Sequence, residues 1–338
     1  FSRQGDYPEF AAGPRRELIA DAGLIAPHWP APWGCDATVR QQLIVDEEFG
    51  KRVELVRPSV GIAEWILPSL IAAGSEELQQ RFVPATLRGE LSWCQLFSEP
   101  GAGSDLASLS TRAVRVEGGW RINGHKIWTS LAHRADYGAL LARTDPDAPK
   151  HRGIGYFILD MRSAGVEFKQ ITQSSGRAEF NEVFLTDVFV PDEMLLGDPA
   201  AGWQLAISTM AHERVAISGY VNIDRMGALR ELVEVSTDPD PVLHAIGEID
   251  AYTNALKALG VRETLRLLDG QAPGPASSIA KVATNVMLRR AAELTLGLTG
   301  PLALEQDSQP AVVASYLDLP AELIGGGTTE IQLNIIAQ

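Results

Sequence analysis

The chain has 338 residues, which at roughly 150 residues per domain points to two or three domains with a sizeable core. Its 29 basic and 43 acidic residues leave a formal charge of −14 with no long run of either sign, which excludes the clustered Lys and Arg of a nucleic-acid or anionic-membrane footprint. Hydrophobic residues (45%) are interrupted throughout by charges, 31 Gly and 20 Pro, and no stretch reaches the roughly 18 apolar residues of a membrane span. Cys35 and Cys94 are too few for a disulfide framework or a zinc cage, and no charged-then-apolar leader follows Phe1. A soluble chain in a reducing, cytoplasmic compartment is the expectation.

From Pro14 to about Arg88, apolar residues recur at intervals of three and four: Leu18, Ile19, Ala22 and Leu24; Leu43, Ile44, Phe49 and Val53; Ile62, Ile66, Leu67, Leu70 and Ile71. This is the period of amphipathic helices, punctuated by the turn at Pro30, Pro32 and Gly34 and by Pro58 and Pro68. Between about Ser92 and Pro191 the pattern becomes short β-branched and aromatic runs, at 93–97, 112–121, 125–129, 137–143, 155–160, 166–171 and 179–190. Gly118-Gly119 and Asn123-Gly124 punctuate these runs and read as hairpin turns. After Pro191 the helical period returns, predicting helices over 200–234, 240–268, 275–298, 309–318 and 328–336, with breaks at Pro273-Gly274 and Gly300-Pro301. Helices, then strands, then helices is not the βα alternation of a doubly wound fold. It predicts an α+β chain: an N-terminal helical domain (1–91), a central β-barrel or sandwich domain (92–197) and a C-terminal helical bundle (198–338).

Two segments of the strand region carry chemistry. Residues 93–105 read Trp-Cys-Gln-Leu-Phe-Ser-Glu-Pro-Gly-Ala-Gly-Ser-Asp, a strand entering a turn of glycine and small polar residues. Such a turn can present N–H groups and hydroxyls to a ligand, or be an ordinary turn. It is not a dinucleotide fingerprint, because no glycine-capped helix follows it. Asn123-Gly124-His125-Lys126-Ile127-Trp128-Thr129-Ser130 places an aromatic plane beside two hydroxyls. Trp128 could stack on a ring ligand while Ser130 donates to it; equally, Trp128 could be barrel core and Ser130 a strand end.

Together these segments resemble the acyl-CoA dehydrogenase family of flavoproteins. So do Ala178-Glu179-Phe180-Asn181-Glu182-Val183-Phe184, closed by Val190-Pro191, and the terminal Gly327-Thr328-Thr329-Glu330-Ile331-Gln332. The resemblance covers nearly the whole chain in order and spacing. It implies an N-terminal helical domain, a central β domain and a C-terminal four-helix bundle holding FAD. The strand matching Gln95, Leu96, Phe97 and Ser98 would line the pyrimidine side of the flavin. Trp128 would pack on the ring, with Thr129 and Ser130 beside it and Ser130 near N5. Ser104 would lie close to the acyl thioester, and Thr328 and Glu330 close to the ribityl chain and pyrophosphate.

The implied reaction is α,β-dehydrogenation of a thioester: a carboxylate takes the pro-R α-proton and a hydride leaves the β-carbon for flavin N5. The α-proton is a feeble acid, so the carbonyl oxygen needs hydrogen bonds and the base a tuned pKa. In many members the base is the Glu of a Tyr-Glu-Gly-Thr string, replaced here by Gly325-Gly326-Gly327-Thr328. Members of the isovaleryl and long-chain type use instead a Glu followed by Arg on the first long helix of the bundle, which matches His212-Glu213-Arg214. Glu213 is therefore the expected base and Arg214 the charge that orients it or the ligand, with Gly326 offering its N–H to the thioester oxygen. His212-Glu213 is not a zinc-protease motif, since Ala216 stands at the second His position, and the 325–329 glycine run lacks the Lys of a phosphate loop.

Loss of the Tyr-Glu side chains predicts a pocket for a bulky or branched acyl group, such as a sterol side-chain thioester. An electron-transfer flavoprotein or similar acceptor is the expected redox partner. The family's Arg-x-x-Phe-Gly string, which grips a neighbouring subunit's FAD pyrophosphate, corresponds to Val235–Val242, which has no cation and carries Asp238 and Asp240. Its second FAD-contacting string has become Leu298-Thr299-Gly300-Pro301. The expectation is an α2β2 heterotetramer, with a related chain supplying the missing contacts. Two alternatives share the fold: a flavin monooxygenase or nitroalkane oxidase, and a non-catalytic subunit of a heteromeric dehydrogenase.

Overall fold

The computed structural model describes residues 12–51, 57–219, 227–236, 238–268, 275–304 and 310–337. By internal contacts it divides into two compact units, one of residues 1–171 and 178–212, the other of 172–177 and 213–338.

The first unit opens with helices α1 (Pro14–Asp21), α2 (Val39–Gly50), α3 (Ala63–Ala73) and α4 (Glu76–Leu87). Thr38 and Gln41 close a reciprocal capping box at the start of α2, and Ser75 accepts the Leu78 N–H at the start of α4. The buried side of α3 is Ala63, Ile66, Leu67 and Leu70, the three-and-four spacing that puts one stripe into the core. Arg16 is buried between these helices, its guanidinium donating to Leu87 O at 2.7 Å and Ser59 O at 2.9 Å. Burial lowers its pKa to about 10, leaving it charged.

Eight strands follow: β1 (Trp93–Leu96), β2 (Arg112–Val116), β3 (Gly119–Ser130), β4 (Tyr137–Arg143), β5 (Ile154–Asp160), β6 (Val166–Ile171), β7 (Phe180–Pro191) and β8 (Leu195–Leu196). They form one sheet in the order β6-β7-β3-β2-β4-β5-β8, with β1 parallel to β4. The β4 and β5 runs are apolar without alternation because both their faces are covered, whereas β3 and β7 alternate and form a long antiparallel ribbon. The turn after β2 is at Gly118 as the sequence predicts, with φ 73°. Asn123-Gly124, by contrast, does not turn the chain: it lies inside β3, at an irregularity in the pairing with β7. Asn123 Oδ1 accepts the Asp187 N–H at 2.8 Å, and a Cβ on Gly124 would stand 2.2 Å from Thr111 Oγ1. This glycine is required by close approach, not by a hairpin.

The helix expected over 200–234 is two elements, α5 (Gly202–Gly219) and α6 (Gly227–Val235), with 220–226 outside the described residues. The second unit continues with α7 (Asp240–Leu268), α8 (Ala276–Thr299), α9 (Pro310–Ile324) and α10 (Thr329–Ala337). The expected break at Pro273-Gly274 lies outside the described residues. α9 extends past residue 318 because Asp318 and Leu319 continue its buried side. The apolar core of this unit joins Leu229, Val242, Ile249, Leu256, Met287, Leu288 and Leu319. Among the described residues no helix is long and apolar enough to cross a membrane, and no group of His, Cys, Asp and Glu could hold a metal.

Candidate active site

Two strand ends of the first unit are locked together by a buried ion pair. Lys126 on β3, wholly buried, donates its ammonium to Glu99 Oε1 at 2.8 Å and to Phe97 O at 3.1 Å. Glu99 also accepts the Thr111 N–H at 3.0 Å and the N–H and hydroxyl of Ser110 at 2.7 and 2.8 Å. Burial pushes this carboxyl up, but the Lys126 charge and these donors more than reverse it, leaving a pKa of about 2. Lys126 is brought down to about 8 by burial, against the raising effect of Glu99, and stays cationic at neutral pH. Neither residue was singled out from the sequence. A signal was present, since Lys126 falls in the inward phase of β3 with Trp120 and Ile122, and an inward lysine needs a buried acid.

The pair fixes the segment expected to line a flavin. Ile127 N–H donates to Ser98 O at 2.9 Å, so the end of β1 runs beside β3. Leu96 and Phe97 are core, Phe97 packing edge-on to Tyr156, so neither side chain is open to a ligand. Gln95 Oε1 accepts Trp65 Nε1–H at 2.5 Å. Beyond Glu99, Ala102 and Glu99 exchange backbone hydrogen bonds at 3.0 Å, and Asp105 is held by Lys150 and Ser108, each at 2.6 Å. Ser104 lies exposed between these anchors.

Past Lys126 the β3–β7 register slips, three residues of β3 passing two of β7. Trp128 sits at this bulge in the left-handed region, φ 60°, and is 57% exposed. The barrel-core reading of Trp128 is therefore excluded. Its ring meets Phe180 edge-on at 6.1 Å. Thr129 turns inward, its carbonyl accepting Asn181 Nδ2–H at 2.9 Å and its buried hydroxyl without a hydrogen-bond partner among the described residues. Ser130 follows, half-buried, opposite Phe180.

On α5 the residues before the candidate base are built into the first unit. Thr209 is buried, its hydroxyl bonded to Ser69 at 2.8 Å and Tyr156 at 3.1 Å. From Glu213 onward the helix belongs to the second unit. Glu213 and Arg214 are half-buried; burial lowers the Arg214 pKa and the Glu213 charge raises it.

In the second unit the Gly325–Thr328 stretch turns the chain from α9 into α10. Gly326 and Gly327 have φ of 72° and 102°, a conformation a side chain resists. Gln332, fully buried, donates to Gly326 O at 2.9 Å, and Thr328 Oγ1 accepts the Ile331 N–H at 3.4 Å. Glu330 is exposed on the first turn of α10, its pKa lowered by its own N–H and by the Thr328 hydroxyl. The last turn of α9 is held from α8: Lys281 Nζ donates to Glu322 O at 2.9 Å and Asn285 Nδ2 to Leu323 O at 3.0 Å. Burial lowers the Lys281 pKa, and Glu322 and Glu213 raise it. Lys281 was also missed in the sequence, although Ser278, Lys281 and Asn285 share the helical phase of the buried Leu288 and Ala292. In the Val235–Val242 stretch the Ser236 hydroxyl donates to Asp238 O at 2.7 Å; Thr237 lies outside the described residues.

The first unit thus gathers Gln95–Ser98 with Trp128–Ser130. The second brings Gly326, Thr328 and Glu330 into one turn, with the end of α9 before it held by Lys281 and Asn285 of α8.

Three family models match in order: "Acyl-CoA dehydrogenase, N-terminal domain" over residues 2–90, the middle domain over 94–188 and the C-terminal domain over 200–338. The chain is 43% identical over 328 residues to acyl-CoA dehydrogenase FadE34 of Mycobacterium tuberculosis, covering 96% of this chain but 45% of that protein, so it spans about half the length of that relative. Acyl-CoA dehydrogenase IpdE1 of the same organism is 32% identical, with 95% of this chain and 85% of that one covered. A solved structure named Tcur3481-Tcur3483 steroid ACAD superposes with a TM-score of 0.81 at 25% identity, covering 99% and 90% of the two chains.

Proposed function

Because the chain belongs to the acyl-CoA dehydrogenase family, oxidoreductases that act on CH–CH groups with FAD as cofactor, we propose that it carries out α,β-dehydrogenation of an acyl-CoA thioester with Glu213 as the base. The observation that carries this reading is at Gly326. The residue at the family's more common base position has no side chain and a φ of 72°, so no carboxylate stands there, and Glu213, followed by Arg214 on α5, is the carboxylate at the family's other base position.

The residues present fit FAD. Trp128 offers an uncovered aromatic face, and Thr129, the next residue, keeps a buried hydroxyl with no hydrogen-bond partner among the described residues. In this reading Gln95–Ser98, Trp128, Thr129 and Ser130 hold the flavin ring, and Thr328 and Glu330, at the start of α10, lie by the ribityl and pyrophosphate groups. Bound FAD supplies the acceptor for the hydride that leaves the β-carbon. Glu213 takes the α-proton and becomes neutral as negative charge passes to the thioester oxygen. The Gly326 N–H donates to that oxygen, Ser104 contacts the thioester, and Arg214 orients the carboxylate.

The glycines at 325 and 326 support a bulky or branched acyl group, of the sterol side-chain kind, as does the likeness to the solved structure named a steroid ACAD. Electrons would leave through an electron-transfer flavoprotein or similar acceptor. For the assembly we infer a related partner chain in an α2β2 arrangement. The 235–242 stretch gives a pyrophosphate two carboxylates and no cation. On α7 the exposed residues Leu243, Gly247, Ala251, Ala258, Val261 and Leu265 form a helical seam of apolar and small side chains suited to another helix. The division 1–91, 92–197 and 198–338 remains our domain reading.

The test is anaerobic. Acyl-CoA should bleach the flavin of the holoenzyme, and Glu213→Gln should bind FAD normally yet slow bleaching by at least about 10²–10⁴. Near-normal bleaching in that variant moves the base elsewhere. Bleaching only with oxygen present, or a colourless chain that takes no FAD, favours the monooxygenase or the non-catalytic subunit.

A further inference from the structure

Thr129 and Ser130 stand between two strained positions. Trp128 and Leu131 both lie in the left-handed region, with φ of 60° and 55°, although neither is glycine. A side chain in that conformation crowds its own backbone, so it persists only where the surroundings hold it. At Leu131 the hold is local: its N–H donates to Glu179 O at 2.8 Å, and its carbonyl accepts Arg134 N–H at 2.9 Å and Ala135 N–H at 3.1 Å. For the residues before it the hold comes from Asn181, opposite Thr129 on β7 and wholly buried.

Asn181 Nδ2 donates to Thr129 O at 2.9 Å and to Glu179 O at 3.2 Å. Carbonyls only accept, so these bonds settle the orientation of the amide, and its Oδ1 faces His133 Nδ1 at 3.0 Å as an acceptor. His133, in the single helical turn Ala132–Arg134, therefore carries a proton on Nδ1. Its Nε2 meets Gln170 Nε2 at 3.2 Å, and that amide nitrogen also donates to Ala178 O at 2.9 Å, so here His133 accepts. A chain of side-chain hydrogen bonds thus runs from Gln170 on β6 through His133 and Asn181 to the Thr129 carbonyl on β3. The sheet does not need it, because backbone ladders already pair both Gln170 and Thr129 with Asn181. It acts where the ladder fails, immediately after the register slip that holds Trp128. The Thr129 carbonyl and the Ser130 N–H belong to one planar peptide, so fixing the first fixes the direction of the second.

We propose that Asn181 and His133 are positioning residues for the flavin: their brace sets the Thr129–Ser130 peptide, and with it the Trp128 ring and the Ser130 side chain, in the binding geometry without FAD. The inference rests on Trp128–Ser130 being flavin contacts. Folding meets the strain at Trp128 and Leu131, so FAD binding does not have to order the segment, and affinity is gained by preorganisation.

The experiment strips FAD from the protein, with its partner chain if one is required, and titrates the apoprotein with FAD. The visible spectrum and midpoint potential of the bound flavin are then recorded. Asn181→Leu, which keeps the volume and removes all three bonds, and His133→Phe, which keeps a ring and removes both of its bonds, should each weaken FAD about tenfold and alter the flavin spectrum. His133→Asn, whose amide nitrogen falls where Nδ1 lies, should recover most of the affinity. Gln170→Ala, at an exposed position, should give a smaller loss in the same direction. If Asn181→Leu does not fold, the two variants at His133 and the one at Gln170 carry the test. Unchanged affinity, spectrum and potential in folded His133→Phe, with only a lower melting temperature, would overturn the proposal and make the brace a matter of stability. Unchanged FAD affinity in Trp128→Ala and Ser130→Ala would instead overturn the reading of that segment as flavin contacts.

Discussion

Lys126 and Glu99 meet at 2.8 Å with neither side chain open to solvent, and this contact joins the end of β1 to the strand that carries Trp128. Removing one partner strands the other charge. Glu99→Gln should destabilise the first unit by about 3–5 kcal/mol, whereas the double variant Glu99→Gln with Lys126→Met should recover much of that loss. Denaturant unfolding followed by tryptophan fluorescence measures both. The Glu99 pKa is depressed from 4.5 to about 2 in the fold, so the stability it contributes is complete above about 4.5 and is lost as pH falls toward 2. Acid unfolding of the wild type should steepen in that window, and the double variant should not show it.

Trp128 separates stability from cofactor binding. More than half exposed on a bulge, it contributes little to the core, so Trp128→Ala should leave the melting temperature of the FAD-free chain nearly unchanged. Loss of a stacking face should weaken FAD by roughly 1 kcal/mol, about fivefold. Titration of the apoprotein with FAD decides it; unchanged affinity would remove Trp128 from the flavin contacts.

Gly326 is in the left-handed region, and any Cβ there meets the neighbouring carbonyl oxygen. Gly326→Ala is expected to cost about 1–2 kcal/mol and to reduce kcat/KM, because the N–H offered to the thioester oxygen shifts with the turn. Gly101→Ala, where an added Cβ meets nothing within 4 Å and φ is not positive, should be silent in a thermal melt.

The seam on α7 predicts association. Native mass measurement of the chain co-expressed with a related dehydrogenase subunit should give a heterotetramer with two FAD, and Gly247→Gln or Ala258→Gln should break it. A stable homotetramer of this chain alone holding four FAD would refute the mixed assembly.

The order of helices, strands and helices was legible because it depends only on local period: threes and fours around Ile66 and Leu70, alternation in β3, unbroken apolar runs in β4 and β5. The motifs around Ser98, Trp128, Glu213 and Thr328 were legible as a resemblance. Asn123-Gly124 misled because a glycine demanded by a neighbouring strand looks, in sequence, like one demanded by a turn; Thr111 is twelve residues away and nothing local announces it.

The sequence by itself determined the order and class of the elements, though not all their bounds, and the absence of a carboxylate at Gly326, since each follows from residue type and short-range spacing. Only tertiary structure decided that Trp128 faces outward, because its exposure depends on a register slip that β7 imposes. Only tertiary structure paired Lys126 with Glu99 and set Lys281 against the Glu322 carbonyl. Electrostatic energy depends on distance and burial, and both are properties of the folded chain rather than of position along it.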